Sequence, residues 1–83
     1  MELVIISPKG ILCSATVESV TVPGTVGQFT VLKNHAPLVS TLEAGEIRYN
    51  DNGVQKGIFV NGGFVRVCNN KIEISVEADG NNH

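Results

Sequence analysis

The chain has 83 residues, which is enough for one small domain and too few for a second folded module. Six basic residues stand against eight acidic ones, and the net charge of −2 without a basic cluster removes the phosphate neutralisation that drives nucleic-acid binding. Hydrophobic residues make up 42% and charged residues 17%, which is typical of a globular protein, and the excess of Val, Ile and Thr over Ala and Leu favours β structure.

The first part of the chain reads as two extended stretches. Glu2–Ser7 predicts a strand that Pro8 ends, and the following Lys-Gly pair predicts a turn into a long extended stretch over residues 11–22. The apolar positions of that stretch change from odd to even numbers near Glu18. This change predicts a β-bulge or a crossing from one sheet to another.

Pro23 and Gly24 predict the end of that stretch, and Gly27–Leu32 predicts the next strand. Residues 33–37 interrupt it with polar residues and a proline. Residues 37–42 then predict another strand, which is followed by a turn at residues 43–45.

A hairpin is predicted at Asn52 and Gly53, because this dipeptide tolerates the positive φ angles of a two-residue turn. With that turn, Ile47 lies opposite Ile58. Beyond this hairpin, the pair of glycines at residues 62–63 predicts a reversal or a kink.

The last hairpin is the clearest in the sequence. A turn at residues 69–70, both Asn, places Val67 opposite Ile72 on the buried face and Arg66 opposite Glu73 on the exposed face. Turn, core face and charge pair agree on one register.

These elements predict an all-β fold, a two-layer antiparallel β-sandwich of about eight to ten short strands. The domain is expected over residues 1–77, with residues 78–83 as a flexible polar tail.

Catalytic and cofactor chemistry is not indicated. Of the two histidines, His83 ends the chain, so a metal site or an assisted nucleophile would rest on His35 alone. The glycine-rich residues 24–27 lack the Lys-Ser/Thr of a phosphate loop. We therefore expect no active site, cofactor, metal ion or nucleic-acid partner.

The cysteines and the hydropathy pattern predict a chain that is made and kept in the reducing cytosol. Cys13 and Cys68 are expected to be free, half-buried thiols, because no signal sequence and no CxxC spacing is visible. No run of apolar residues is long enough to span a bilayer. By residue pattern alone, the chain is a small interaction module.

Residues 17–38 carry a resemblance to a known family. Their sequence, V-E-S-V-T-V-P-G-T-V-G-Q-F-T-V-L-K-N-H-A-P-L, resembles the epsilon subunit of bacterial rotary ATP synthase, with further matches at Ser7-Pro8-Lys9-Gly10, Gly45-Glu46-Ile47 and Gly62-Gly63-Phe64-Val65. The resemblance covers nearly the whole chain from Leu3 to Glu77.

The resemblance implies a ten-stranded β-sandwich at the foot of the central stalk. It implies one non-catalytic copy per complex, bound to the gamma subunit and the membrane ring of c subunits, on the cytoplasmic face of the bacterial inner membrane and touching the membrane only through the ring. The c-ring side would comprise Thr25, Val26, Gln28, Lys33, Asn34 and His35. The gamma side would comprise Ser7, His35 and Ser40. Many family members continue into a helical hairpin that inhibits the catalytic head, and we expect that arm to be absent here.

A second function from a different class is a biotinyl or lipoyl carrier module, which is also all-β and about this size. Its cofactor would sit on a hairpin lysine, for which Lys71 and Lys33 are the candidates. Neither lies in the M-K-M or D-K-A setting of those domains.

Overall fold

The computed structural model describes residues 1–77, and all regular secondary structure in that range is β-strand. The strands are β1 (Glu2–Ser7), β2 (Gly10–Thr16), β3 (Ser19–Gly24), β4 (Gly27–Leu32), β5 (Leu38–Leu42), β6 (Gly45–Asp51), β7 (Val54–Val60), β8 (Gly63–Cys68) and β9 (Lys71–Val76). The predicted all-β fold is confirmed, with nine strands in the described range, one fewer than the resemblance implies. The predicted polar tail lies outside the described residues.

The strands follow the order β2-β1-β9-β8-β5-β3-β6-β7, and β4 pairs with β3 beside this path. The sheet is nearly divided between β5 and β3, where a single residue pair, Gly24 with Leu42, joins the two parts. One layer therefore holds β2, β1, β9, β8 and β5, and the other holds β4, β3, β6 and β7.

One pair departs from the predicted antiparallel arrangement. β1 and β9 run parallel, from Glu2 opposite Lys71 to Ile6 opposite Ser75, whereas the other pairs are antiparallel. β1 is bonded to β2 on its other side, through the turn at Pro8 and Lys9. A short turn makes two consecutive strands antiparallel, but no local turn determines the relative direction of two strands as distant in sequence as β1 and β9.

The inner faces of both layers form one apolar core. Burial alternates along β1, β3, β6, β8 and β9, as the period-two pattern predicts, whereas β2 has only half-buried and exposed residues. The fully buried side chains include Leu3, Ile5, Val20, Val22, Val31, Ile47, Val60, Val65, Ile72 and Ile74.

Both predicted hairpins are confirmed in register. Val67 lies opposite Ile72 and Arg66 opposite Glu73, with their side-chain charges 3.6 Å apart. In the other hairpin Ile47 lies opposite Ile58. All four turn residues, at positions 52–53 and 69–70, have positive φ angles, as two-residue hairpins require.

The predicted change of parity near Glu18 is a crossing between layers. β2 pairs with β1 in one layer, whereas β3 pairs with β4 and β6 in the other. Val17, between the two strands, is buried at the crossing. The two cysteines are free and half-buried, as predicted.

Within residues 1–77 we find no helix of the length and hydrophobicity that crossing a bilayer requires.

Candidate partner-binding surface

The turn between β3 and β4 is exposed at its tip and fixed at its base. Thr25 and Val26 form the tip, and the Val26 side chain is 95% exposed. The Thr25 N–H donates to the Thr41 carbonyl over 3.1 Å, and the two threonine hydroxyls lie 2.8 Å apart. The turn therefore presents an apolar side chain to solvent from a base that is tied to β5.

Gln28 follows this turn as an exposed residue of β4. It lies opposite Pro23, which has no N–H to donate. Its side-chain oxygen accepts a hydrogen bond from Arg48 over 3.3 Å. The amide is thus held on the outer face of its layer.

The loop between β4 and β5, residues 33–37, is exposed throughout. Asn34 has a φ of 66°, a conformation that asparagine tolerates better than most residues. The His35 N–H donates to the Leu32 carbonyl over 3.1 Å, and His35 Nδ1 lies 2.8 Å from the Ala36 carbonyl oxygen. Because a carbonyl only accepts, this contact needs the proton on Nδ1 and leaves Nε2 for another molecule.

A second asparagine holds this loop. The Asn34 N–H donates to Asn70 Oδ1 over 2.8 Å, and Asn70 Nδ2 donates to Asn34 Oδ1 over 3.1 Å. The sequence assigns Asn70 only to a turn, since no pattern along the chain links two residues 36 positions apart.

The two predicted loops lie at opposite ends of β4. Six residues of strand separate them, or about 17 Å. We call the two ends the Thr25 end, with Thr25 and Val26, and the His35 end, with residues 33–37 and the turn at 69–70. The c-ring set from the sequence is therefore not one cluster but two, joined by the edge strand β4.

The gamma set is also spread over the molecule. Ser7 lies at the Thr25 end. The end of β1 lies beside Ser75 of β9, and the same level of the sheet continues through Gly63 of β8 to Leu42 of β5. Leu42 pairs with Gly24, the residue before Thr25. The Ser7 side chain is 5% exposed, and its hydroxyl donates to the Gly10 carbonyl and accepts from the Lys9 N–H. The hydroxyl is thus occupied within its own turn.

Ser40 is half-buried within β5, and its hydroxyl donates to the Thr41 carbonyl over 3.1 Å. His35 is the exposed member of the gamma set. A direct contact of Ser7, His35 or Ser40 with a partner stays a prediction.

Between the layers, one thiol and one phenol are in contact. Cys13 Sγ lies 3.4 Å from the hydroxyl of Tyr49, a core residue of β6. The hydrogen bond with Cys13 and then burial raise the pKa of Tyr49 to about 12. A phenol held neutral in this way is a structural group and a poor general base.

The acidic, histidine and cysteine side chains of residues 1–77 do not gather into a metal site. No three His, Cys, Asp or Glu side chains of that range lie together as metal ligands. Glu73 is within 3.6 Å of both Arg66 and Lys71, so these charges on the outer face of β8 and β9 compensate one another.

Comparison with known proteins assigns the chain to a family. A profile described as ATP synthase, Delta/Epsilon chain, beta-sandwich domain matches residues 1–79. An ATP synthase epsilon chain from Symbiobacterium thermophilum is 43% identical over 79 residues, with 94% of this chain and 57% of the relative covered. An ATP synthase epsilon chain from Rhodospirillum rubrum is 45% identical over 74 residues, with 88% of this chain and 55% of the relative covered. The chain spans a little over half the length of these relatives.

Two solved structures share the fold. One is a chain from the central stalk and c-ring of the Tetrahymena thermophila mitochondrial ATP synthase, with a TM-score of 0.79, 18% identity, and coverage of 93% of this chain and 63% of that one. The other is a chain of the Euglena gracilis mitochondrial ATP synthase, with a TM-score of 0.83, 21% identity, and coverage of 89% and 48%. At these identities the likeness concerns the fold alone.

Proposed function

The chain belongs to the family of ATP synthase delta/epsilon chain β-sandwich domains, and from this premise we propose that it is a non-catalytic subunit of the central stalk of a proton- or sodium-translocating rotary ATP synthase. In this proposal one copy per complex couples rotation of the membrane c-ring to the gamma shaft. It does so as a peripheral protein on the cytoplasmic face of the bacterial inner membrane.

The observation that carries the proposal is the match of residues 1–79 to the family, supported by bacterial relatives that are epsilon chains. The solved structures of similar fold come from ATP synthases, and one of them is described as central stalk and c-ring. Both observations favour a stalk subunit over a carrier module. One of the two candidate lysines in that alternative, Lys71, has its Nζ 3.6 Å from Glu73.

The physical properties of the chain suit a coupling part. A part that transmits torque needs a stiff body and fixed contact points. The core is continuous through both layers, and the exposed loops at the Thr25 end and the His35 end are each hydrogen-bonded to a neighbouring strand or turn. Exposed loops on a rigid scaffold are the usual place for contacts.

Binding to a gamma subunit tests the proposal. We expect the purified chain to form a 1:1 complex with the gamma subunit of its own organism, measured by calorimetry and size-exclusion chromatography. Truncation of an exposed contact residue in a protein interface can cost about ten-fold in affinity or more, so His35→Ala is expected to weaken the complex by about that factor.

The control is Phe59→Ala, which removes a side chain that is 64% exposed on edge strand β7 and outside both predicted sets. Its affinity for the gamma subunit should stay within about two-fold of the wild type. A well-folded wild-type chain that binds no gamma subunit would contradict the proposal.

A further inference from the structure

The loop of residues 33–37 is long enough to be mobile, yet it is tied to a distant element. It is exposed throughout, and within residues 1–77 the backbone bond from His35 to Leu32, at the end of β4, is the one found for this loop outside the strand ladders. Asn70, in the turn between β8 and β9, supplies two further hydrogen bonds to it at 2.8 and 3.1 Å. The conformation of the loop thus depends on a residue of another hairpin.

The pair fixes both the backbone and the side chain of Asn34. Asn70 accepts from the Asn34 main-chain N–H and donates to its side-chain oxygen, so neither group of Asn34 rotates freely. Both residues have positive φ angles, 66° and 61°. The next residue along the loop is His35, whose orientation follows from the backbone of Asn34.

We propose that Asn70 is a positioning residue for partner binding, which holds the 33–37 loop in its binding conformation through the reciprocal amide pair with Asn34. This inference rests on the proposed function. A loop that is already ordered loses little conformational freedom on binding, so the partner's affinity rises without any contact to Asn70 itself.

The chain offers a matched pair of variants for the test. Asn69 and Asn70 occupy the same turn with φ angles of 52° and 61°, and glycine accepts both conformations. Asn70→Gly removes the amide pair with Asn34, whereas Asn69→Gly changes the turn in the same way and leaves the pair intact. The two variants should therefore differ in free energy of unfolding only by what the amide pair contributes to the fold.

We expect Asn70→Gly to bind the gamma subunit about five- to thirty-fold more weakly than Asn69→Gly, a loss of the size that ordering a short loop on binding produces. Amide exchange at Asn34 should accelerate in Asn70→Gly alone, because its N–H loses its acceptor. Asn70→Asp should restore most of the affinity, since a carboxylate still accepts from the Asn34 N–H and from the Asn34 side chain after an amide flip.

Equal affinities of Asn70→Gly and Asn69→Gly would overturn the inference, and so would unchanged exchange at Asn34. Both results leave the proposed function standing, because the wild-type chain still binds. A wild-type chain that does not bind the gamma subunit refutes the proposed function instead, while the exchange measurement still reports whether Asn70 orders the loop.

Discussion

Tyr49 and Cys13 form a contact whose effect depends on pH. The pKa of Tyr49 is raised from 10.0 to about 12, first by the hydrogen bond with Cys13 and second by burial. A phenol whose pKa is higher in the folded state than in the unfolded chain stabilises the fold while both states are protonated. This contribution is complete below about pH 10 and is lost as the pH rises toward 12.

We expect the wild type to lose up to about 2 kcal/mol of unfolding free energy, relative to Tyr49→Phe, between about pH 8 and pH 12. Urea denaturation of both proteins across this range measures the difference, and the comparison cancels the titration of the lysines. Tyr49 is the single tyrosine in a chain without tryptophan, so the absorbance of phenolate reports its pKa directly. A phenolate transition near pH 10 in the folded protein would contradict the prediction.

Single residues were predictable from the sequence where their partners lie nearby in the chain. Arg66 and Glu73 were paired correctly because one turn sets their register. Asn34 and Asn70 were not paired, since their contact depends on how two separate hairpins pack. Ser7, a predicted contact residue, is a different case, because its hydroxyl is bonded to Lys9 and Gly10 of its own turn, which lie close to it in the chain.

Among the elements, the start of β8 shows where glycine is required. Gly63 has a φ of 145° and lies between Leu42 of β5 and Val76 of β9. A Cβ at this position would collide with the Ser75 carbonyl oxygen. Gly53 also has a positive φ, of 85°, but an added Cβ there meets nothing within 4 Å.

Gly63→Ala is therefore expected to cost about 3 kcal/mol or more, from steric overlap and backbone strain together, whereas Gly53→Ala should cost about 1 kcal/mol from strain alone. Chemical denaturation of both variants gives the two values. Equal losses would show that β8 shifts away from β9 without penalty.

Strand positions were largely predictable, because turns and period-two alternation act over a few residues. The hairpins β6–β7 and β8–β9 agree with the sequence to the residue. The parallel pairing of β1 with β9 was missed, since the alternation of Leu3 and Ile5 shows which face is buried and says nothing of the neighbouring strand or its direction.

For the whole molecule, this topology sets the pace of folding. The first strand must find the last described one, and the β5–β3 junction joins the layers through one residue pair. All-β domains dominated by such distant pairings fold in milliseconds to seconds. We expect the main refolding phase, followed by far-ultraviolet circular dichroism in a stopped-flow instrument, to fall in this range, and a main phase completed within microseconds would contradict it.

The family and the sandwich were predictable because the motif around residues 17–38 is specific and the core alternates regularly. The arrangement of the predicted contact residues was not, because residues close in sequence diverge along an extended strand. Thr25 and His35 are ten positions apart, and β4 separates them, because they lie beyond its two opposite ends.

The parallel pair of β1 and β9 also determines how the domain resists a mechanical force applied to its two ends. Because the two strands point the same way, a force that draws the beginning of β1 and the end of β9 apart acts along the ladder and loads it in shear. The hydrogen bonds of the whole ladder, from the pair of Glu2 and Lys71 to the pair of Ile6 and Ser75, then resist the force together. In an antiparallel pair pulled from its two free ends, the hydrogen bonds would instead break one after another.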